Sequence, residues 1–423
     1  MGQPSKTIPP TTEPPRRRSV NIRTFSSLRH RDLRFLLGGT FFMSAGNWIQ
    51  QVTVGWLAYD MTQSAFMVGA VMGTRSVPFL VAGPIGGVLG DRMDRKRILM
   101  ATQVAQMVLA LSLATLLAID RAQVWHLFAF TLLTGVSWSI MNPVRMSLVA
   151  NLVPKEDLMN ALALNSAAFN INRAIGPALA GLLIAYAGPA TNFFLQSTMY
   201  VGVLAVVIPM TVPPREYSAA TETSVLSNFT EGIRYVRKER TILPLLIVAM
   251  IPSLFVMPFT QGILPVFSEE VLQGGSEGLG FLYSAGGIGG VVGTIIVASL
   301  GNFQRKGLLL LAGVTGAGTA MMIYSQMTWL PLAALLLALI GLSDMLFRSS
   351  NNTLIHSIVP DQYRSRVASI LLMDNGLVPL GSLLAGTLAQ LYGAPVAVLL
   401  GGAAAVTLVG LVAARFSAIR QAR

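Results

Sequence analysis

Charged side chains inside otherwise apolar runs are the residues of this sequence best placed to do chemistry. They are Arg75, Arg145, Arg173, Asp344, Arg348 and Asp374. An arginine at the centre of a membrane-spanning helix costs about 2.5–3.5 kcal/mol on insertion scales, so it needs a partner or a water-filled cavity. A carboxylate or guanidinium group in such a place can bind a charged solute, carry a proton or neutralise a neighbour.

Two spacings among these residues predict ion pairs. Asp344 and Arg348 are four residues apart on one helical face, so they can neutralise each other. The same two residues could equally serve a function, and both interpretations stay open. Asp374 and Arg145 each lie about eight residues from one end of their runs, which gives them similar depth at about 1.5 Å per residue. We expect these two to form an ion pair that opens and closes between two parts of the molecule.

The remaining arginines suggest what the interior binds. Arg173 shares a helical face with polar residues, which predicts that this face lines a central cavity. Helix-packing hydrogen bonds would also explain the asparagines on it. The face consists of Asn165, Phe169, Asn172, Arg173 and Gly176. Arg75, close to Pro78, is interpreted as a member of a structural ion pair. The six charges sum to +2 and the first six runs hold no mid-span carboxylate, which favours an anionic or neutral substrate over a cationic drug.

Other chemistries are poorly represented. The chain has no cysteine, which excludes disulfides and thiolate metal sites, and its three histidines are His30, His126 and His356. No apolar run contains paired carboxylates or an acid-rich metal motif. A membrane-embedded enzyme is therefore the less favoured alternative, and we expect no cofactor and no metal.

The elements that must position these side chains are membrane-spanning helices. The chain has 423 residues, of which 53% are apolar and only 11% charged, against about 25% charged in soluble domains. Many apolar runs reach the roughly 20 residues that a bilayer core requires. We predict an all-α integral membrane protein, in contact with the lipid bilayer, with twelve transmembrane helices. The expected spans are 33–59, 65–89, 98–119, 124–150, 159–187, 190–210, 241–266, 277–300, 307–325, 330–356, 367–391 and 395–414.

An internal repeat divides these spans into two halves. Val153-Pro154 and Val359-Pro360 are 206 residues apart, and Ala180-Gly181 and Ala385-Gly386 are 205 apart. The offsets predict two pseudo-symmetric six-helix halves, with a substrate site between them at mid-membrane. The predicted organisation is a disordered basic tail (1–30), an N-terminal half (31–211), a linker with an amphipathic helix (212–240), a C-terminal half (241–418) and a short tail (419–423).

The basic residues predict the orientation. With both termini in the cytoplasm, 25 of the 30 Lys and Arg residues fall on the tails and the cytoplasmic loops, as the positive-inside rule requires. The net charge of +12 is then an orientation signal, and we expect no nucleic-acid partner. The predicted location is the cytoplasmic (inner) membrane, crossed many times.

The turn between the second and third spans resembles a known motif. Gly87, Asp91-Arg92, Arg95 and Lys96 are spaced as in the loop between helices 2 and 3 of the major facilitator superfamily. The resemblance implies a gating role for all five residues, with Asp91 contacting the start of helix 11 and latching the halves in one state. The superfamily's glycine two residues past the Asp-Arg pair is Asp94 here.

The fifth span resembles one branch of this superfamily, which contains the enterobactin exporter and macrolide-efflux proteins. Within it, Gly176-Pro177 and Gly181 are similar to the helix-5 motif of the superfamily's antiporters, with Ala180 and Asn172 where glycines are usual. The resemblance implies a monomer that exports a small siderophore-like or antibiotic-like molecule by alternating access, in exchange for protons. Proton-coupled uptake of a small anionic or neutral metabolite is the alternative, and a channel is disfavoured because the repeat suits rocking halves.

Overall fold

The computed structural model of the chain is helical. It describes residues 25–79, 94–154, 156–212, 242–300, 305–360 and 373–416, together with the separate positions 231, 234–236, 239, 363, 367, 370 and 371, and no strand occurs among them. Nine helices in this part of the chain are long and apolar enough to cross a membrane. The chain is thus an all-α, multi-pass membrane protein.

The helices follow the predicted spans closely. They are α1 (Arg31–Thr62), α2 (Ala65–Thr74), α3 (Arg95–Ala118), α4 (Val124–Asn151), α5 (Leu158–Ala187), α6 (Pro189–Val207), α7 (Ile242–Glu270), α8 (Gly275–Leu300), α9 (Lys306–Tyr324), α10 (Leu330–Ile358), α11 (Val378–Tyr392) and α12 (Ala394–Arg415). The nine candidate spans exclude α1, which is long but more polar, and the short apolar helices α2 and α11. A count of twelve spans therefore stays a prediction.

Packing repeats between the two halves. The contact of α3 with α6 in the first half has its equivalent in the contact of α9 with α12 in the second. Between the halves, α2 packs on α11 and α5 packs on α8. In the repeat, α2 corresponds to α8 and α5 to α11, so each of these two contacts is the symmetric equivalent of the other. The pseudo-symmetric pair of halves is thus present in the structure.

The sharp connections between α5 and α6 and between α11 and α12 have a local cause. Gly188 and Gly393 have φ values of +77° and +84°, which L side chains rarely adopt. Each glycine ends one helix, and the next begins at Pro189 or at Ala394, where a proline in the first turn loses no hydrogen bond. The two glycines are 205 residues apart, so the repeat extends to the turns.

Three helices depart from the predicted spans at proline residues. The second span was expected to run from 65 to 89, but α2 ends at Thr74, and residues 75–78 form a turn whose last residue is Pro78. Proline cannot donate the amide hydrogen bond that would continue the helix. Within α7, π-helical segments begin at Pro252 and Pro258. In the eleventh span the described positions 367, 370 and 371 are helical, and a 3₁₀ segment, Met373–Leu377, then leads into α11.

A short 3₁₀ helix, Ser26–Arg29, attaches the start of the chain to the first turn of α5. The Asp157 carboxylate accepts a hydrogen bond from Ser26 Oγ at 2.9 Å and from an Arg29 guanidinium nitrogen at 2.6 Å. Its Oδ2 also lies 2.9 Å from His30 Nε2. These contacts hold the pKa of Asp157 at about 2, chiefly through His30, then Ser26 and Arg29.

The predicted linker packs on the second half where it is described. Val236 is buried, and the ring of Tyr235 stacks on Tyr363 with centroids 4.1 Å apart. Residues 234–236 are helical, whereas Phe229, Ile233 and most of the remaining linker lie outside the described residues. The amphipathic helix and the domain boundaries stay predictions, as does the disorder of the tail, since residues 1–24 are likewise outside.

Candidate functional site

A cavity lies between the two halves. Each of five helices contributes to its wall: Trp48 from α1, Arg173 from α5, Gln261 from α7, Tyr283 from α8 and Asp344 from α10. Arg173 lies midway along α5, so the cavity is at the middle of the bundle. The first half of the chain supplies an arginine and an indole, and the second half supplies a carboxylate.

One end of this cavity is closed by contacts between the halves. These contacts lie towards the face that carries the loops before α2, α6, α8 and α12, which we call the far face. There the Tyr59 hydroxyl donates to a Glu270 carboxylate oxygen at 2.9 Å, and the Ser64 hydroxyl donates to Gln390 Oε1 at 3.0 Å. Each bond joins one half to the other, so both must break before the cavity can open to the far face.

Two glycine contacts, which we call the seams, complete this closure. In the α5–α8 seam, a Cβ atom on Gly181 would lie 2.3 Å from the carbonyl oxygen of Ser276. In the α2–α11 seam, a Cβ atom on Gly69 would lie 2.3 Å from the carbonyl oxygen of Ser382. Atoms at that distance overlap, so only glycine allows the backbones to approach this closely. Gly181 belongs to the helix-5 motif, which therefore lies at an interface between the two halves.

The other two motif residues also lie beside the site. A Cβ atom on Gly176 would come within 3.1 Å of the Trp48 side chain, so this glycine makes room for the indole. Pro177 is inside α5, and its carbonyl oxygen would be 2.5 Å from a Cβ atom on Gly280 in the same seam. The motif thus shapes both the cavity wall and the seam, and its link to antiport stays a prediction.

Arg173 faces the cavity, as the polar stripe suggested. Its guanidinium carbon lies 5.8 Å from the centre of the Trp48 ring, a cation–π arrangement. Within the described part of the chain, the guanidinium makes no side-chain hydrogen bond. The Asn172 amide, also on the predicted face, instead bonds the carbonyl oxygens of Phe41 and Ala168, so that asparagine serves helix packing.

The second half holds its membrane charges in one cluster. Arg348 Nε donates to Asp344 Oδ2 at 2.8 Å, so the spacing of four residues does form an ion pair. The Asp374 carboxyl lies next to the Ser253 hydroxyl and within electrostatic reach of Arg348. Its Oδ1 atom is buried and has no hydrogen-bond partner among the described residues. The cluster therefore combines one paired carboxylate with one that is incompletely satisfied.

Arg145 lies in the first half, away from this cluster. It is buried, and its guanidinium donates to Asn165 Oδ1 at 3.0 Å and more weakly to Thr40 and Asn142. Its Nε has no partner in the described structure. The pair that similar depth suggested, Arg145 with Asp374, is absent from this state of the protein, and its formation in another state stays a prediction. Asn165, expected on the cavity wall, is a buried partner of Arg145.

The expected ion pair of Arg75 is not formed with any described residue. Its guanidinium instead donates to the side-chain amide oxygens of Asn47 and Gln51, and it lies 5.8 Å from the centre of the Trp138 ring. The physical reason is the end of α2 at Thr74, where the turn brings the Arg75 backbone against α4. A Cβ atom on Gly135 would be 2.2 Å from the Arg75 carbonyl oxygen.

The gating motif is described only in part. Gly87, Asp91 and Arg92 lie outside the described residues, and Arg95 is the first residue of α3. The Lys96 amine donates to the carbonyl oxygens of Ile208 and Met210, each at 2.7 Å, at the C-terminal end of α6. A cation there compensates the negative end of the helix dipole. This contact is within one half, and the gating role of the motif stays a prediction.

Sequence reasoning placed Phe169 on the cavity face but missed the two tryptophans that pack on it. Trp48 packs on Phe169 with centroids 6.2 Å apart, and Trp138 packs on the same ring at 6.3 Å. A signal was present in the first span, where Trp48 follows the polar residue Asn47 and precedes Gln51 by three positions. A large aromatic residue among polar ones at mid-span is typical of a cavity wall rather than a lipid face.

Relatives of known function are membrane transporters. The chain is 26% identical over 369 residues to the staphyloferrin A transporter of Staphylococcus aureus, and the aligned region covers 85% of this chain and 90% of that protein. It is 25% identical to the multidrug efflux pump Tap of Mycolicibacterium fortuitum, with the same coverage. It is 23% identical to the enterobactin exporter EntS of Escherichia coli, over 74% of each chain.

Solved structures and a family model agree with this picture. A peptide transporter POT in complex with sulfate has the same fold, with a TM-score of 0.76 over 92% of this chain and 95% of that one, at 14% identity. The model of the family described as transmembrane secretion effectors matches residues 22–422, nearly the whole sequence. The protein therefore belongs to the transmembrane secretion effector family of major facilitator transporters, and it is a transporter rather than an enzyme.

Proposed function

We propose that this protein exports a small siderophore-like or drug-like molecule across the cytoplasmic membrane, in exchange for protons. The observation that carries the proposal is a cavity with Arg173 and Asp344 in its wall, between two halves that meet at one end. The seams and the hydrogen bonds of Tyr59 and Ser64 close the far face. In the orientation predicted from the basic residues, the far face is the outside. In this state, which is closed to the outside, the substrate would enter from the cytoplasm.

The substrate class follows from the relatives. Two of the three described above are named for siderophores, and the third is a drug pump. Their similarity extends over 74–85% of the chain. Export is preferred to uptake because the named direction among them, in the enterobactin exporter and the efflux pump, is outward.

We assign the coupling proton to Asp374. Extrusion against a gradient needs an energy source, and the sequence contains no nucleotide-binding loop. A titratable carboxylate in the membrane can carry a proton when its charged partners change during the cycle. Asp374 has a buried oxygen without a hydrogen-bond partner in the described structure, whereas Asp344 is held by Arg348. Asp374 is therefore the better carrier.

The test is transport by the purified chain in proteoliposomes, with staphyloferrin A and enterobactin as first probes. The Asp374→Asn variant should lose accumulation driven by an imposed proton gradient, yet keep exchange of substrate between equal concentrations on the two sides. Asp120→Asn, in the exposed loop after α3, is the matched control and should behave as wild type. Accumulation by Asp374→Asn under a proton gradient would refute the coupling assignment, and accumulation only in the inward direction would refute export.

A further inference from the structure

We propose that the first-half wall of the cavity is a binding site for an organic anion that carries an aromatic ring. In this site Arg173 binds the carboxylate and Trp48 stacks on the ring. The inference rests on the proposed function, because it takes the cavity to be the transport site. It goes further by naming the chemical class of the ligand and the side chains that select it.

The first argument is the state of the Arg173 guanidinium. Its guanidinium carbon lies 5.8 Å from the centre of the Trp48 ring, and the group makes no side-chain hydrogen bond within the described part of the chain. Five N–H donors at mid-membrane are costly to leave unfilled. The planar fork of these donors matches the two oxygens of a carboxylate.

The second argument is charge. Asp344 lines the same cavity and lies within electrostatic reach of Arg173, but its carboxylate is bonded to Arg348 at 2.8 Å, so one negative charge is shared between two arginines. The first half adds Arg75 and Arg145, both bonded to neutral amide oxygens. No described residue at mid-span in α1–α6 is acidic. An anionic ligand at Arg173 supplies the missing negative charge, whereas a cationic ligand would be repelled.

The third argument is the aromatic surface beside this arginine. Trp48, Phe169 and Trp138 form a continuous strip, with successive centroids 6.2 Å and 6.3 Å apart, and Arg75 lies over its far end. The Trp48 indole nitrogen is buried and has no acceptor among the described residues. A flat ring with an oxygen substituent would stack on the strip and accept this hydrogen bond. A small inorganic anion would satisfy the guanidinium but not the rings.

The experiment compares two probes that differ in charge and share one ring, 1-naphthoate and 1-naphthamide. Binding to the purified full-length chain is measured by saturation-transfer NMR titration, without any ion gradient. Wild type should bind naphthoate about 10- to 100-fold more tightly, the range expected for one charge-assisted bidentate contact. Arg173→Gln should remove this preference. Arg121→Gln, which removes an exposed arginine from the loop after α3, should retain it.

Three results would overturn the inference. Equal binding of both probes by wild type would show that the site does not select for charge, and this measurement needs no variant to fold. A preference that survives in folded Arg173→Gln would place the anion elsewhere. Trp48→Leu should weaken the binding of both probes about 2- to 10-fold through loss of the stack. Unchanged binding would show that Trp48 does not contact the aromatic ring of the ligand. Because no gradient is applied, these outcomes are independent of direction and proton coupling.

Discussion

The two halves of the transporter stabilise their intramembrane charges in different ways. In the second half, Arg348 is paired with Asp344 and lies near Asp374, so these charges depend on one another. In the first half, Arg75 and Arg145 are bonded to neutral amide oxygens. Amide dipoles stabilise a guanidinium without cancelling its charge. The described first half therefore keeps a net positive interior, and the second half contains Asp374, the carboxylate to which we assigned the proton.

At the seams the two halves are alike, since each seam is a glycine packed on the backbone of the other half. We expect substitutions there to have the largest effect on transport. Gly181→Leu or Gly69→Leu would place a side chain on a carbonyl oxygen 2.3 Å from the added Cβ atom. Either variant should abolish transport by preventing closure of the far face. Gly410→Leu is the control, since nothing lies within 4 Å of a Cβ atom there.

Closure at the far face can be measured directly. The chain has no cysteine, so spin labels can be attached at introduced cysteines in two far-face loops, Gln63 in the first half and Gln273 in the second. The distance between the labels should increase in the Gly181 and Gly69 variants and stay at the wild-type value in Gly410→Leu. Normal transport by either seam variant would mean that the backbones need not meet as they do here.

The second prediction tests the comparison of the halves itself. Arg348→Met leaves Asp344 without its partner. Breaking a fully buried ion pair on one side costs about 3–5 kcal/mol, and because this pair is only partly buried we expect a smaller loss in the free energy of unfolding. The double variant Asp344→Asn with Arg348→Met should recover much of that loss. Arg145→Met removes a charge whose partners are neutral, so its cost should be clearly smaller. The free energy of unfolding in detergent can be measured for all three variants. Equal losses of stability for Arg348→Met and Arg145→Met would contradict the difference between the halves.

The smallest expected effect concerns a carboxylate of the first half that lies outside the membrane. The contacts from His30, Ser26 and Arg29 lower the pKa of Asp157 from 3.8 to about 2. A carboxylate with a lowered pKa stabilises the folded state above its ordinary pKa, and this contribution is lost as the pH falls towards the lowered value. The melting temperature of Asp157→Asn should therefore lie below that of wild type by a constant amount at neutral and mildly acidic pH.

The same difference in melting temperature should shrink once the pH falls below about 4, where wild-type Asp157 begins to lose its advantage. Asp120→Asn, an exposed substitution of the same kind, should show no such change with pH. A difference between wild type and Asp157→Asn that persists unchanged at the acidic end would assign the contribution to packing rather than to charge.

The sequence predicted those features that depend on one helix at a time. Apolar length gave the helices, and the spacing of Asp344 and Arg348 gave their ion pair, because residues four apart are neighbours on any α-helix. Contacts between helices were harder to predict. Arg145 and Asp374 were expected at a similar depth, but depth is only one coordinate, and the direction in which each side chain points depends on packing. The Trp48–Arg173 contact likewise depends on how α1 and α5 cross.

The partners of Arg75 show a second limit. Pairing it with a carboxylate was reasonable on charge alone, but α2 ends one residue earlier, and the turn directs the guanidinium to Asn47 and Gln51. Polar residues on α1 were visible in the sequence, yet no spacing rule connects them to a residue 24 or 28 positions away. Neutral amides are also abundant partners, so composition could not single them out.

The glycine seams have a consequence for the balance between the closed and open forms of the protein. Ordering a long side chain at an interface costs up to about 2 kcal/mol in rotamer entropy, and this cost arises each time the interface forms. Glycine has no rotamers, so Gly69 on Ser382 and Gly181 on Ser276 close without that cost. They also expose little apolar area when they part. Closed and open forms can therefore lie close in free energy, so that the binding energy of a small solute is enough to shift the balance between them.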